Sequence, residues 1–146
     1  MATLPFGYSS NAVHSALDQM IVGGPMIEAF VRKYSHDPID VTVLTALPAL
    51  LDTGAGVNVI EKSVVAAMGL TPIDRQPIFG VSGQVTVEFY RLQLIVPPLN
   101  YARIGKFAAL DLQSQQRPYA VILGRPFLSR FRLAIDGRAG LGQLDG

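Results

Sequence analysis

The sequence contains no cysteine, only two histidines and only three glutamates among its 146 residues. Without cysteine, the chain has no disulfide, no thiol nucleophile, no thiolate zinc site and no cysteine-ligated iron–sulfur cluster. The two histidines, His14 and His36, lie 22 positions apart, which is not a typical metal-ligand spacing. Acid–base chemistry therefore depends mainly on the eight aspartates, and we expect neither a metal nor a cofactor.

Charge and long apolar runs are also scarce. Charged residues make up 16% of the chain, against about 25% in typical soluble domains. The net charge is only +1, so nucleic acid is not an expected partner. The longest apolar stretch, Val41 to Leu51, contains Pro48 and is too short to span a bilayer. No secretory signal follows Met1, so we expect a cytoplasmic protein without membrane contact, or a domain excised from a longer precursor.

What is present indicates one mostly β domain. Apolar residues make up 49% of a chain long enough for one real core. Short β-branched or alternating segments separated by glycine and proline turns are typical of strands in a barrel or sandwich. One short helix is predicted at residues 61–68 and another after Gly124. Strands or hairpins are predicted near residues 26–31, 41–51, 57–60, 78–94, 92–96, 104–112 and 133–144.

Residues 1–24 differ from the rest and are expected to form an N-terminal helical extension to a main domain at residues 25–146. Serines and an asparagine at positions 9–11 can cap a helix, and Gly23-Gly24 can end it. One helical face would carry the apolar residues Val13, Ala16, Leu17, Met20 and Ile21. This helix could cover the body of the protein, form a dimer contact or be a removable leader, and the sequence does not choose between them.

The segment most suggestive of chemistry is Ala49 to Ala55, in which an apolar strand ends in Asp52-Thr53-Gly54. Burying an aspartate there is costly unless its oxygens find hydrogen-bond donors. The Thr53 hydroxyl and the unobstructed N–H of Gly54 could supply them. Taken alone, the segment could equally be an ordinary turn at the end of a strand.

Two further motifs accompany it. Residues 119–128 form an apolar strand broken by a glycine into a short helix, and the hairpin at about 78–94 has the tip Gly80-Val81-Ser82-Gly83. With these three motifs in this order, residues 25–131 closely resemble the retropepsin-like aspartic proteases. The resemblance implies an all-β, single-domain closed β-barrel, the acid protease fold, with one or two short helices. It also implies a homodimer, although the terminal hairpin at about 133–144 is longer than a retroviral protease's terminal strand.

The resemblance also implies roles for individual residues. Asp52 would be the catalytic aspartate, within an active-site loop that includes Thr53, Gly54 and Ala55. Thr53 would hydrogen-bond across the dimer interface, and Gly54 would contact the substrate backbone. The other matched positions are two flap-tip residues, two pocket-lining residues and two structural residues beside the loop: Val81 and Ser82, Ala120 and Ile122, and Gly124 and Arg125.

One position departs from the pattern of the family. Retroviral members often carry an acidic residue just after Asp-Thr-Gly-Ala, where it pairs with the arginine that Arg125 matches. This chain has Gly56 at that position, so the sequence leaves the partner of Arg125 open.

The implied activity is hydrolysis of peptide bonds in an extended polypeptide. That reaction needs two carboxylates sharing one proton about a single water, and the chain has one Asp-Thr-Gly. Two copies of Asp52 must then meet across a two-fold axis, which makes a second copy of the chain the expected partner. The alternative is a catalytically silent module of the same fold that dimerises or binds peptides.

Overall fold

The computed structural model describes residues 2–81 and 83–146, so Ser82 lies outside the described residues. The helices are α1 (Ala16–Gly23), α2 (Lys62–Ala67) and α3 (Arg125–Leu128). The strands are β1 (Thr3–Gly7), β2 (Met26–Arg32), β3 (Ala46–Leu51), β4 (Asn58–Glu61), β5 (Asp74–Gly80), β6 (Gly83–Val96), β7 (Tyr101–Leu110), β8 (Val121–Leu123), β9 (Arg132–Asp136) and β10 (Leu141–Asp145). The prediction of a mostly β chain with few short helices is confirmed.

The strands form two sheets. The larger has seven strands in the order β2-β3-β8-β4-β7-β6-β5, with a further pairing between β2 and β6, and the smaller has the order β1-β10-β9. Within the larger sheet, β3 runs parallel to β8, and β4 runs parallel to β7. These pairings place the ends of β3 and β8 side by side, while the closed barrel stays a prediction.

One end of strand β6 lies in the core, and the other end is exposed. From Leu92 to Val96 every residue is buried, as expected for a strand covered on both faces. From Gly83 to Thr86 every residue is exposed, and this part pairs only with β5. The hairpin formed by β5 and β6 therefore extends from the body of the protein, anchored by the buried half of β6.

The N-terminal segment contains the predicted helix and, before it, a strand that the sequence did not predict. Residues Thr3–Gly7 form a strand that pairs antiparallel with β10, from Thr3 opposite Asp145 to Gly7 opposite Leu141. The helix begins only after Ser15, whose hydroxyl accepts a hydrogen bond from the N–H of Asp18. The prediction missed β1 because its partner strand lies at the other end of the chain, where a local pattern cannot find it.

The predicted strand at residues 41–51 was too long. Asp40 caps a 3-10 turn at Val41–Val43 by accepting a hydrogen bond from the N–H of Thr42, at 3.0 Å. The strand itself is Ala46–Leu51. The β-branched residues favoured a strand, but the side-chain cap gives their backbone groups a local alternative. No helix in the described part of the chain is long and apolar enough to cross a membrane.

Glu61 is a buried carboxylate that joins three segments. Its oxygens accept hydrogen bonds from the N–H and hydroxyl of Ser63 and from the N–H groups of Leu112 and Gln113. Burial raises the pKa of Glu61, but these four hydrogen bonds outweigh it and lower the pKa from 4.5 to about 2. The charged form is thus stabilised in the folded protein.

We expect Glu61→Gln to lower the free energy of unfolding at pH 7 by about 1–3 kcal/mol, because a buried amide cannot satisfy the same donors. The folded-state pKa lies below the unfolded value, so the carboxylate's contribution is full above about pH 4.5 and is lost as the pH falls toward 2. Urea unfolding at pH 7, 4 and 3 should therefore show the two proteins converging in stability.

The matched control is Glu28→Gln, because Glu28 is exposed on β2. Its free energy of unfolding should stay within about 0.5 kcal/mol of the parent's. A stability deficit in Glu61→Gln that is unchanged between pH 7 and pH 3 would contradict the assignment.

Candidate active site

The backbone of Asp52 is held by two core strands. Strands β3 and β8 lie parallel, with Leu50 beside Ile122 and Leu51 beside Leu123. Immediately after β3, the N–H of Asp52 donates to the carbonyl of Leu123 at 3.0 Å. The position of Asp52 is therefore set by the rigid end of the sheet.

The Asp52 carboxylate is half-buried and held from one side. Its Oδ1 accepts a hydrogen bond from the N–H of Gly54 at 2.8 Å, and the carbonyl of Asp52 accepts one from the N–H of Ala55 at 3.2 Å. Within residues 2–81 and 83–146, Oδ2 has no hydrogen-bond partner. One oxygen is thus anchored and the other is available to a ligand.

Gly124 lies where the Asp52 loop meets the start of α3. A Cβ atom at this position would lie 2.6 Å from the carbonyl oxygen of Ala55 and 2.7 Å from that of Val57, both shorter than real Cβ contacts. The next residue, Arg125, donates its N–H to the Ala55 carbonyl at 2.9 Å. The two backbone segments can approach this closely only because Gly124 has no side chain.

Arg125 also reaches the loop with its side chain. Its Nη1 donates to the carbonyl oxygen of Thr53 at 2.9 Å, and a Cβ atom at Gly56 would lie 3.2 Å from its Nη2. The partner that the sequence left open is therefore a backbone carbonyl. Because a carbonyl remains an acceptor at every pH, this contact does not need a carboxylate at position 56.

The two expected pocket positions lie on or next to β8. Ala120 is half-buried and donates its N–H to the carbonyl of Pro48 at 2.9 Å. Ile122 is half-buried and packs against an apolar cluster that includes Val87 and Ile78 of the β5–β6 hairpin. Ile122, in the strand beside that of Asp52, and Ile78 of the hairpin thus pack against the same cluster.

The structure does not bring every expected residue into the site. Val81, at the hairpin tip, is fully exposed, and Phe79 nearby is 78% exposed. The side chain of Thr53 is also exposed and makes no hydrogen bond within the described residues. The loop, β8, Gly124 and Arg125 are in contact, whereas the hairpin tip lies in the open.

Sequence reasoning missed Asn58, a buried residue at the start of β4. Its side-chain Oδ1 accepts a hydrogen bond from the N–H of Gly124 at 2.9 Å. A polar residue within the apolar run from Val57 to Ile60 was the available signal, because a buried amide needs partners. Asn58 and Arg125 together tie α3 to the two ends of the Asp52 loop.

Comparison with known proteins reveals the fold. The sequence matches no protein-family model and no curated protein. The structure resembles a retropepsin-like aspartic protease from Rickettsia conorii, with a TM-score of 0.51 and 19% identity over 82% of this chain and 80% of that one. It also resembles the EIAV protease complexed with the inhibitor HBY-793, with a TM-score of 0.50 and 19% identity over 73% of this chain and 86% of that one.

A third similar structure is the protease of simian foamy virus (mac), with a TM-score of 0.48 and 17% identity over 71% of this chain and 91% of that one. The structures from Rickettsia conorii and EIAV show that this chain has the retropepsin-like fold, which confirms the resemblance seen in the sequence.

Proposed function

We propose that this chain is an aspartic endopeptidase that acts as a homodimer, with one Asp52 from each copy at the two-fold axis. The observation that carries the proposal is the Asp52 carboxylate, fixed at the end of β3 with Oδ1 bound by the Gly54 N–H and Oδ2 available. The fold neighbours, a retropepsin-like aspartic protease and the EIAV protease, support peptide hydrolysis as the reaction class.

In the proposed reaction, the two carboxylates share one proton and hold a water between them. Like charges a few ångströms apart resist ionising together, so the pair titrates as a unit. The ionised carboxylate takes a proton from the water, which attacks the scissile carbonyl carbon, while the protonated one donates its hydrogen bond to the carbonyl oxygen. The Gly54 N–H holds each carboxylate in place throughout.

The β5–β6 hairpin is proposed as the flap over the bound peptide. Its tip carries exposed apolar side chains, Phe79 and Val81, which are costly to leave in water. At the tip Gly80 pairs with Gly83, and Cβ atoms at both glycines would meet open space. An extended polypeptide lying between this hairpin and Asp52 would cover the apolar tip.

The proposal is tested by incubating the purified chain with a mixed peptide library across a pH series, with its mass measured by sedimentation. We expect internal cleavage of extended peptides and a particle of twice the monomer mass. A fully active monomer would overturn the dimer. Peptide binding without any cleavage would instead support the silent module.

Helix α1 supports a dimer contact at this end of the sheet. It leads directly into Pro25, whose carbonyl accepts a hydrogen bond from the N–H of Leu51 at 2.8 Å, next to Asp52. Its outward face is apolar, with Ile21 70% and Val22 86% exposed. We expect the second copy to cover this face in the proposed dimer.

We therefore expect the double variant Ile21→Glu/Val22→Glu to weaken dimerisation at least about tenfold, because a buried unpaired carboxylate is costly. Sedimentation equilibrium would measure the dissociation constant. The control is Val43→Glu, since Val43 is 78% exposed but lies before β3, whose six residues span about 20 Å between it and Asp52. Equal dissociation constants for the double variant and this control would contradict the contact.

A further inference from the structure

A groove of about 630 Å³ lies beside the Asp52 loop. Its lining includes Gly56 and Val57, which follow the Asp52 loop, and Gln76 of the β5–β6 hairpin. Three cationic side chains, those of Arg103, Lys106 and Arg130, also line it. The groove thus joins the loop and the hairpin to a basic surface.

The positive charge of this groove is only partly neutralised. Its lining contains no carboxylate. Lys106 pairs with Asp74 at 3.0 Å, just outside the lining. In the part of the chain that the structure describes, the other ion pair joins Arg75 to Glu88, so Arg103 and Arg130 have no carboxylate within 4.0 Å.

The two unpaired arginines line the same groove as Tyr101. Burial raises the pKa of Tyr101, and the guanidinium groups of Arg130 and Arg103 partly oppose that rise. Both arginine side chains are exposed and belong to different elements, since Arg103 is on β7 and Arg130 follows α3. Two guanidinium groups that line one groove form a suitable site for carboxylates, because their planar N–H donors match the two carboxylate oxygens.

The groove is also placed to receive a substrate. Gly56 and Val57 follow Asp52 by only four and five residues, and Gln76 belongs to the proposed flap. A peptide that lies across Asp52, beneath the hairpin, would meet this groove if it continues past Gly56.

We propose that this groove binds acidic residues of the polypeptide substrate, with Arg103 and Arg130 pairing with their carboxylates. The proposal rests on the proposed peptidase function and adds a substrate class to it. Because the whole chain has a net charge of only +1, the preference comes from the local placement of these cations.

The test measures binding separately from cleavage. Two fluorescein-labelled extended peptides, one with three consecutive glutamates and one with glutamines in their place, are titrated by anisotropy with the Asp52→Asn variant. We expect the glutamate peptide to bind about tenfold more tightly at low ionic strength, with the preference falling as salt is added.

Variants then locate the preference. Arg103→Gln/Arg130→Gln should reduce it to about twofold or less, and Arg103→Glu/Arg130→Glu should transfer it to a peptide with lysines. The control Arg132→Gln/Arg138→Gln removes the same charge from exposed positions in the β9–β10 hairpin and should leave the preference intact. Equal binding of the first two peptides, or a preference that survives the groove variants, would overturn the inference.

The two proposals can fail separately. If the wild-type chain cleaves both peptides without preference and binds them equally, the peptidase function stands and the acidic groove is wrong. If the glutamate peptide binds more tightly and neither peptide is cleaved, the groove stands and the peptidase function is wrong.

Discussion

Asp52→Asn should reduce peptide cleavage at least about a thousandfold and leave the fold unchanged. The asparagine side chain still offers an oxygen to the Gly54 N–H, so the local turn is preserved. It cannot take a proton from water, however, nor hold the shared proton between the two copies. Cleavage is measured on the peptides that the wild type cuts, and the melting temperature verifies the fold.

The matched control for this variant is Asp136→Asn. Asp136 ends β9 and its carboxylate accepts a hydrogen bond from the N–H of Ala139, an acceptor role that an amide oxygen can also fill. Its activity should equal that of the wild type. Undiminished cleavage by Asp52→Asn would contradict the aspartic mechanism.

Mixing the wild type with Asp52→Asn tests whether one active site needs both copies. If equal amounts exchange at random, about a quarter of the dimers carry two aspartates, so activity should fall to about a quarter of the undiluted value. Independent monomers would retain about half. A value near one half after full subunit exchange would contradict the shared site.

Gly124→Ala should lower the free energy of unfolding by about 1–3 kcal/mol, because the added methyl group overpacks the contact between two backbones. The φ of Gly124 is −90°, which alanine adopts readily, so the cost is steric. The atoms in the way are the carbonyl oxygens of Ala55 and Val57, which cannot rotate aside as a side chain would. Denaturant unfolding measures this loss of stability.

The same substitution should reduce cleavage about a hundredfold, the effect expected when a reacting group is displaced by about 1 Å. The reason is that the obstructed carbonyls belong to the segment that follows Asp52. The control is Gly137→Ala, where a Cβ atom meets nothing within 4 Å. That variant should remain within about 0.5 kcal/mol of the parent. If Gly124→Ala and Gly137→Ala were equally stable and equally active, the close approach at Gly124 would not matter for function.

Local patterns predicted much of the secondary structure. Alternation along residues 83–96 and the glycines at the turn predicted the long hairpin, and the segment before Gly69 predicted α2. They failed at the N-terminus, where β1 exists because it pairs with β10. The paired residues are 142 positions apart at Thr3 and Asp145 and 134 apart at Gly7 and Leu141. They also missed the role of Asn58, because the N–H that it accepts from belongs to Gly124.

The candidate motifs, their order along the chain and the resemblance to the retropepsin-like proteases could be predicted from the amino-acid sequence, because they depend on residue types and short spacings. Three contacts could be found only in the folded chain: Arg125 binds the carbonyl of Thr53, Gly124 leaves no room for a side chain, and Arg103 and Arg130 line one groove. Each of these joins segments far apart in the chain. Such contacts arise from strand pairing and core packing, which bring distant residues together according to the register of the whole sheet.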